Sequence, residues 1–259
     1  MLGRFSILDY ADYLEETIAD LGLSQPPVLV GHSMGGILAQ ILATRIPVAG
    51  IALLAPVPPA GIHVVRPINL LATAHVMLRW GFWRRPQMPS PAMARFGLFH
   101  RLGPAHAREA VAEMVPESGR AYAEIVFWFL DRRRATEVPA EEVRCPVLVL
   151  TGGRDRVLPP GLVRRVAARY PQASFRVFPR LGHWLFEEPG SDQLRTELVS
   201  WVGALDAGQV PIADYRVPAP AQEPPPLSPV LLEPKGRRIE SPAKLGRWSV
   251  RPPRSSSPS

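Results

Sequence analysis

Three residues of this sequence have the types and the surroundings that nucleophilic catalysis needs. Ser33 lies in a glycine-rich turn, Gly31-His32-Ser33-Met34-Gly35-Gly36, while Asp155 and His183 each follow a later apolar run. A serine hydroxyl is a poor nucleophile until a base takes its proton, and that base needs a third group to fix its tautomer. We therefore predict that Ser33 is the nucleophile, that His183 moves the proton and that Asp155 orients His183.

Ser33 lies at the apex of a predicted strand, turn and helix. The apolar run Val28–Val30 predicts the strand, and Ile37–Leu42 has the composition of a helix start. Gly31 and Gly35 are expected to provide the clearance of the turn, which a Cβ would obstruct. The hydroxyl would then project from the carboxyl edge of a parallel sheet, at the positive end of a helix.

Asp155 and His183 also follow predicted strands. The strand Cys145–Leu150 leads into the glycine-containing loop of Asp155, and the strand Ser174–Phe178 precedes His183. Loops at the carboxyl ends of parallel strands emerge on one side of the sheet, where ligands bind, so the three side chains should meet there.

Three further elements are predicted. The first is a helix over 6–22 that is capped by Ser6 and buries Ile7, Ala11, Leu14, Ile18 and Leu21. The second is a strand over Gly50–Ala55, and the third is a last helix that buries Leu194, Leu198, Trp201 and Leu205.

A change of character between the strands indicates an inserted segment. Large apolar residues are interrupted there by prolines, which favours several short helices over a continued sheet. We predict a helical cap over 57–140, inserted in an α/β core formed by 1–56 and 141–205. An apolar pocket between Ser33 and this cap would suit an acyl chain. Its predicted walls include Met77, Trp80, Phe82, Phe96 and Phe99; the alternative is that these side chains only pack the cap against the core.

Composition narrows the class of protein. The chain has 259 residues, a formal charge of +7 and a single cysteine, Cys145. The basic residues are not interleaved with aromatics as a nucleic-acid groove requires, so no nucleic-acid partner is expected. The single cysteine excludes an internal disulfide, and neither a signal peptide nor an apolar run of membrane-spanning length is found. We predict a cytoplasmic protein whose proline-rich residues 206–259 are a disordered tail.

Residues 1–205 resemble the α/β-hydrolase superfamily, in the branch of serine esterases, lysophospholipases and monoacylglycerol-lipase-like enzymes. The motifs that carry the resemblance are Gly31–Gly36, Cys145–Pro160 and Gly182-His183-Trp184. The order Ser, Asp, His along the chain is the one that this superfamily uses. The resemblance implies an α/β-hydrolase fold, with a partial parallel sheet, flanking helices and a helical cap insert. It also implies hydrolysis of small acyl substrates without a metal or cofactor.

The sequence departs from the family pattern before the turn of Ser33. Family members carry further strands and an oxyanion loop there, whereas this chain begins at the helix that feeds the strand Val28–Val30. We therefore expect this strand to be an exposed edge open to self-association, and Met34 N–H to be one oxyanion donor without its usual partner. The alternative to an esterase is a catalytically silent remnant or interaction protein. The remaining histidines are interpreted as structural or loop-packing residues: His32, His63, His75, His100 and His106.

Overall fold

Four parallel strands form the central sheet of the computed structural model, which describes residues 2–63 and 80–208. In their order across the sheet, the strands are β1 (Val28–His32), β2 (Gly50–Leu54), β5 (Val147–Gly152) and β6 (Ala173–Phe178). The predicted α/β class and parallel sheet are confirmed.

Helices cover both faces of the sheet. Successive residues of β2 alternate between the faces: Ile51 and Leu53 join one apolar cluster, and Ala52 and Leu54 join the other. Every residue of β2 and β5 is buried, as expected of parallel strands that are covered twice. The first face carries α1 (Ile7–Asp20), α2 (Met34–Leu42) and α6 (Pro160–Ala167), and the second carries α7 (Asp192–Asp206).

Helix α1 begins where the sequence predicts, with Ser6 as its N-cap. The Ser6 hydroxyl accepts from Leu8 N–H, and the Asp9 carboxylate accepts from Ser6 N–H at 2.8 Å. The buried Glu124 also accepts from Ser6 Oγ–H and Ile7 N–H, at 2.9 and 2.8 Å. A carboxylate at the positive end of a helix is favourable, so this contact fixes the start of α1 against the inserted segment.

The predicted inward stripe of α1 is only half right. Ile7 and Ala11 are fully buried, but Leu21 is 63% exposed. Strand β1 is at the edge of the described sheet, and Val30 of that strand is 49% exposed. The predicted position of β1 at the edge is therefore observed, and the prediction that Leu21 is buried is wrong because no described element packs over it.

The described part of the inserted segment consists mainly of short helices. They are α3 (Pro91–Gly97), α4 (Pro104–Ala112) and α5 (Gly119–Val126), with 3-10 turns at Phe82–Arg84, Trp128–Leu130 and Ala140–Glu142. A two-stranded antiparallel ladder, β3 (Pro86–Gln87) with β4 (Glu117–Ser118), was not predicted. Helix α5 ends at Val126, and the 3-10 turn Trp128–Leu130 follows it. The cap boundaries themselves stay a prediction.

Three sequence predictions fall outside the described residues. They concern Met77, a predicted wall of the acyl pocket, His75, interpreted as a structural or loop-packing residue, and nearly all of the predicted tail, from residue 209 onward. Within 2–63 and 80–208, no helix combines the length and the apolar character that crossing a bilayer requires.

Candidate active site

Ser33 occupies a strained turn between β1 and α2. Its backbone has φ +52° and ψ −117°, a conformation that side-chain-bearing residues rarely adopt. Ser33 N–H donates to Leu54 O at 3.0 Å, and Ser33 O accepts from Val57 N–H and Gly36 N–H, both at 2.9 Å. Such strain persists only where neighbouring contacts enforce it and is concentrated at functional sites. The turn thereby holds the Ser33 side chain beyond the end of β1.

The clearance of this turn comes from Gly31 and Gly36. A Cβ on Gly31 would lie 2.2 Å from Gly35 O, and one on Gly36 would lie 2.5 Å from Pro56 Cβ. A Cβ on Gly35 would meet no atom within 4 Å. The prediction that Gly35 provides clearance is therefore wrong: its Cα faces open space, while Gly36 packs directly against the chain that follows β2.

Asp155 lies in the loop after β5 and is 5% exposed. Its Oδ1 accepts from Val157 N–H and Leu158 N–H, both at 2.8 Å. These two bonds hold the carboxylate in one orientation. The second oxygen, Oδ2, is left to face His183.

The structure brings Ser33, Asp155 and His183 into one line of hydrogen bonds. His183 Nδ1–H donates to Asp155 Oδ2 at 2.8 Å, and the Ser33 hydroxyl reaches His183 Nε2 at 3.2 Å. His183 is 1% exposed, whereas Ser33 is half-buried. Because Asp155 accepts the hydrogen bond from Nδ1–H, the proton stays on Nδ1 and Nε2 carries the lone pair that faces the serine. The geometry can therefore transfer a proton from Ser33 Oγ to His183.

His32 packs beside this line. Its ring lies 4.9 Å from the ring of His183, with Trp184 and Phe186 edge-on at 5.7 and 6.0 Å between ring centroids. His32 Nε2–H donates to His183 O at 2.9 Å. Burial, and after it the nearby charge of His183, lower the pKa of His32 to about 4. His32 is therefore neutral near pH 7.

The residues predicted to wall an acyl pocket lie in different places. Trp80 is 88% exposed and Phe96 is 43% exposed, with Arg156 4.6 Å above the Phe96 ring.

The other predicted pocket residues are buried or half-buried. Phe82 is buried against Trp83 and lines a cavity of about 980 Å³, together with Arg4, Arg120 and Phe127 among others. Phe99 is buried 5.1 Å from the Trp184 ring, and with Phe96 it lines a second cavity, of about 370 Å³. Met34 is half-buried at the start of α2.

Sequence reasoning missed one residue next to His183. Glu188 is 2% exposed, and its carboxylate accepts the N–H groups of Gly182 and Trp184, the latter at 3.1 Å. Burial raises the pKa of Glu188. The only signal in the sequence is the acidic pair 187–188 just after the histidine, which is equally typical of a solvated turn.

The fold and these loops define an α/β hydrolase. The model of the alpha/beta hydrolase family matches residues 2–195, three quarters of the chain, and the protein belongs to that family. A curated relative, the monoacylglycerol lipase of Mycolicibacterium smegmatis, is 24% identical over 210 residues. That alignment covers 77% of this chain and 72% of the relative.

Solved structures show the same fold. The monoacylglycerol lipase of Paleococcus ferrophilus superposes with a TM-score of 0.56 at 21% identity, over 78% of this chain and 77% of its own. A thermophilic esterase from Thermogutta terrifontis has a TM-score of 0.55 at 22% identity, over 79% and 75% of the two chains. The resemblance to the α/β-hydrolase superfamily is confirmed.

The low pKa of His32 predicts how stability varies with pH. An unfolded histidine takes up a proton near pH 6.5, but folded His32 does so only near pH 4. Between these values the unfolded state binds more protons, so the free energy of unfolding should fall as the pH falls, by on the order of 3 kcal/mol from this group.

Urea unfolding of the wild type and of His32→Gln between pH 4 and pH 7 measures this effect. Glutamine can still donate to His183 O but does not titrate, so the variant should lose less stability across the interval. Parallel curves for the two proteins would contradict the assigned shift, because all other groups titrate in both.

Proposed function

We propose that this protein is a serine hydrolase of carboxylic esters or related acyl compounds, acting through a Ser-His-Asp triad. The observation that carries the proposal is the hydrogen-bonded line from Asp155 through His183 to Ser33. The order of Ser33, Asp155 and His183 along the chain supports the same function. So does the position of the three residues beyond the carboxyl ends of β1, β5 and β6. A serine in the turn, paired with a histidine and an aspartate, favours acyl transfer.

The mechanism follows from the protons that the three groups can hold. Ser33 Oγ attacks the acyl carbon while its proton passes to His183 Nε2. Asp155 stabilises the imidazolium and keeps its ring oriented, and His183 then protonates the leaving alcohol. Water then attacks the acyl-serine while its proton passes to His183, and His183 returns that proton to Ser33 Oγ as the acid leaves. No step requires a metal ion or cofactor.

Met34 N–H is the oxyanion donor that we assign. Met34 is the first residue of α2, so its N–H has no carbonyl four residues earlier within the helix. It follows the nucleophile directly, where the helix dipole also favours negative charge. Loss of one such donor typically costs ~10²–10³ in rate.

The names of the relatives support small acyl esters as substrates. The curated relative and one of the solved structures are monoacylglycerol lipases, and another is an esterase. Among the predicted acyl-contact residues, we assign Phe82 and Phe99 to packing because their rings are buried against other aromatics. Trp80 and Phe96 present exposed surface, and we propose that they contact the acyl group.

Trp80→Ala should therefore discriminate between substrates by chain length. The variant should lower kcat/KM for p-nitrophenyl decanoate several-fold and leave p-nitrophenyl acetate within about twofold, since only the longer chain offers apolar surface to the indole. Tyr13→Ala removes another exposed aromatic, on α1, and serves as the matched control. An equal effect of Trp80→Ala on both esters would remove Trp80 from the acyl site.

Labelling with a fluorophosphonate probe tests the triad, because the probe traps only an activated serine. The wild type should be labelled on Ser33, as located by peptide mass spectrometry, and Ser33→Ala should not be labelled. His183→Gln should slow labelling by more than roughly 10³. Ser24→Ala, at an exposed serine near the end of α1, is the control and should label normally.

A folded wild type that takes no label would contradict the proposal. That result would favour the alternative of a catalytically silent member of the family.

A further inference from the structure

We propose that Glu188 is a positioning residue, which sets the orientation of His183 by binding the backbone on both sides of it. This inference rests on the proposed function, because it is the proposed catalysis that requires His183 to be held in one orientation. Glu188 touches none of the reacting atoms. Its effect would pass through the short loop between Gly182 and Trp184.

The contacts of Glu188 are directed at that loop. One carboxylate oxygen accepts Gly182 N–H and the other accepts Trp184 N–H at 3.1 Å. Between these two donors, His183 O accepts from His32 Nε2–H at 2.9 Å. One backbone polar group in each of Gly182, His183 and Trp184 is therefore held by a side chain from outside the loop. The peptide planes on both sides of the imidazole accordingly have little freedom to rotate.

The burial of Glu188 calls for such a role. The residue is 2% exposed, and among the described residues no cation lies within ion-pair distance of its carboxylate. A buried carboxylate without a cation is unfavourable unless hydrogen bonds compensate it. Burial raises the pKa of Glu188, and the nearby charge of Asp155 also raises it. The two N–H donors and, more remotely, Arg101 act in the opposite direction and lower this pKa. The compensation comes from the two amides that flank His183.

Glutamine at this position would break one of the two contacts. Its side chain has one acceptor oxygen, and its NH₂ group would face a backbone N–H, donor against donor. The flanking peptide would then shift, and with it the distance from Nε2 to Ser33 Oγ. A displacement of about 1 Å at a reacting group can cost on the order of 10²-fold in rate.

The test compares Glu188→Gln with Glu187→Gln in the full chain. Glu187 is the adjacent carboxylate, and its described bond is to the indole Nε1–H of Trp184 and not to the backbone. With p-nitrophenyl acetate, Glu188→Gln should lower kcat roughly 10- to 100-fold while KM changes less than about threefold. Glu187→Gln should keep both constants near the wild-type values. Glu188→Asp keeps the two acceptor oxygens and should recover part of the lost kcat.

A spectroscopic readout separates this inference from the proposed function. The His183 Nδ1 proton, held by Asp155, should give a downfield proton resonance that shifts or broadens in Glu188→Gln and stays unchanged in Glu187→Gln. This resonance can be measured even if the wild type hydrolyses no ester, an outcome that would overturn the proposed function alone. Unchanged kcat and an unchanged resonance in Glu188→Gln would overturn the positioning role. If Glu188→Gln does not fold, Glu188→Asp provides the test. A lowered kcat together with a shifted resonance in Glu188→Asp would support the positioning role. A kcat and a resonance equal to those of the wild type would overturn it.

Discussion

The hydrogen bond between Asp155 and His183 is the interaction on which the site depends. It joins two loops 28 residues apart in sequence, and both groups are almost completely buried. Strands β5 and β6 pair in register from Val147 with Ala173 to Gly152 with Phe178, so their carboxyl ends stand side by side. The parallel ladder therefore brings the two loops together, and β1 supplies Ser33 from the same edge of the sheet.

Much of this arrangement could be predicted because its causes are local in sequence. The apolar runs of β2 and β5 have the composition of strands buried on both faces, and each predicted strand lies within three residues of its observed bounds. The N-cap at Ser6 followed from Asp9 three residues later, which forms the capping box. The direction of the parallel strands then placed Ser33, Asp155 and His183 at one edge without any knowledge of contacts.

What the sequence did not predict depends on contacts between distant segments. Leu21 continues the apolar spacing of α1 but is exposed, because periodicity indicates a face and not what covers it. Gly36 packs against Pro56, a neighbour that the spacing of the turn does not reveal. In the sequence, Glu188 cannot be told apart from an acidic residue on the surface. Only the fold turns its carboxylate toward the backbone N–H groups of Gly182 and Trp184. Phe82 lines one cavity, and Phe96 and Phe99 line another, for the same reason.

The central claim is that Asp155 holds the His183 ring in the tautomer that faces Ser33. Proton NMR of the downfield Nδ1–H resonance measures this bond directly, because a proton held by a buried carboxylate is strongly deshielded and protected from exchange. The account predicts such a resonance in the wild type and in Ser33→Ala, and its loss in Asp155→Asn and His183→Gln. A downfield resonance that persists in Asp155→Asn, or none in a folded wild type, would contradict it.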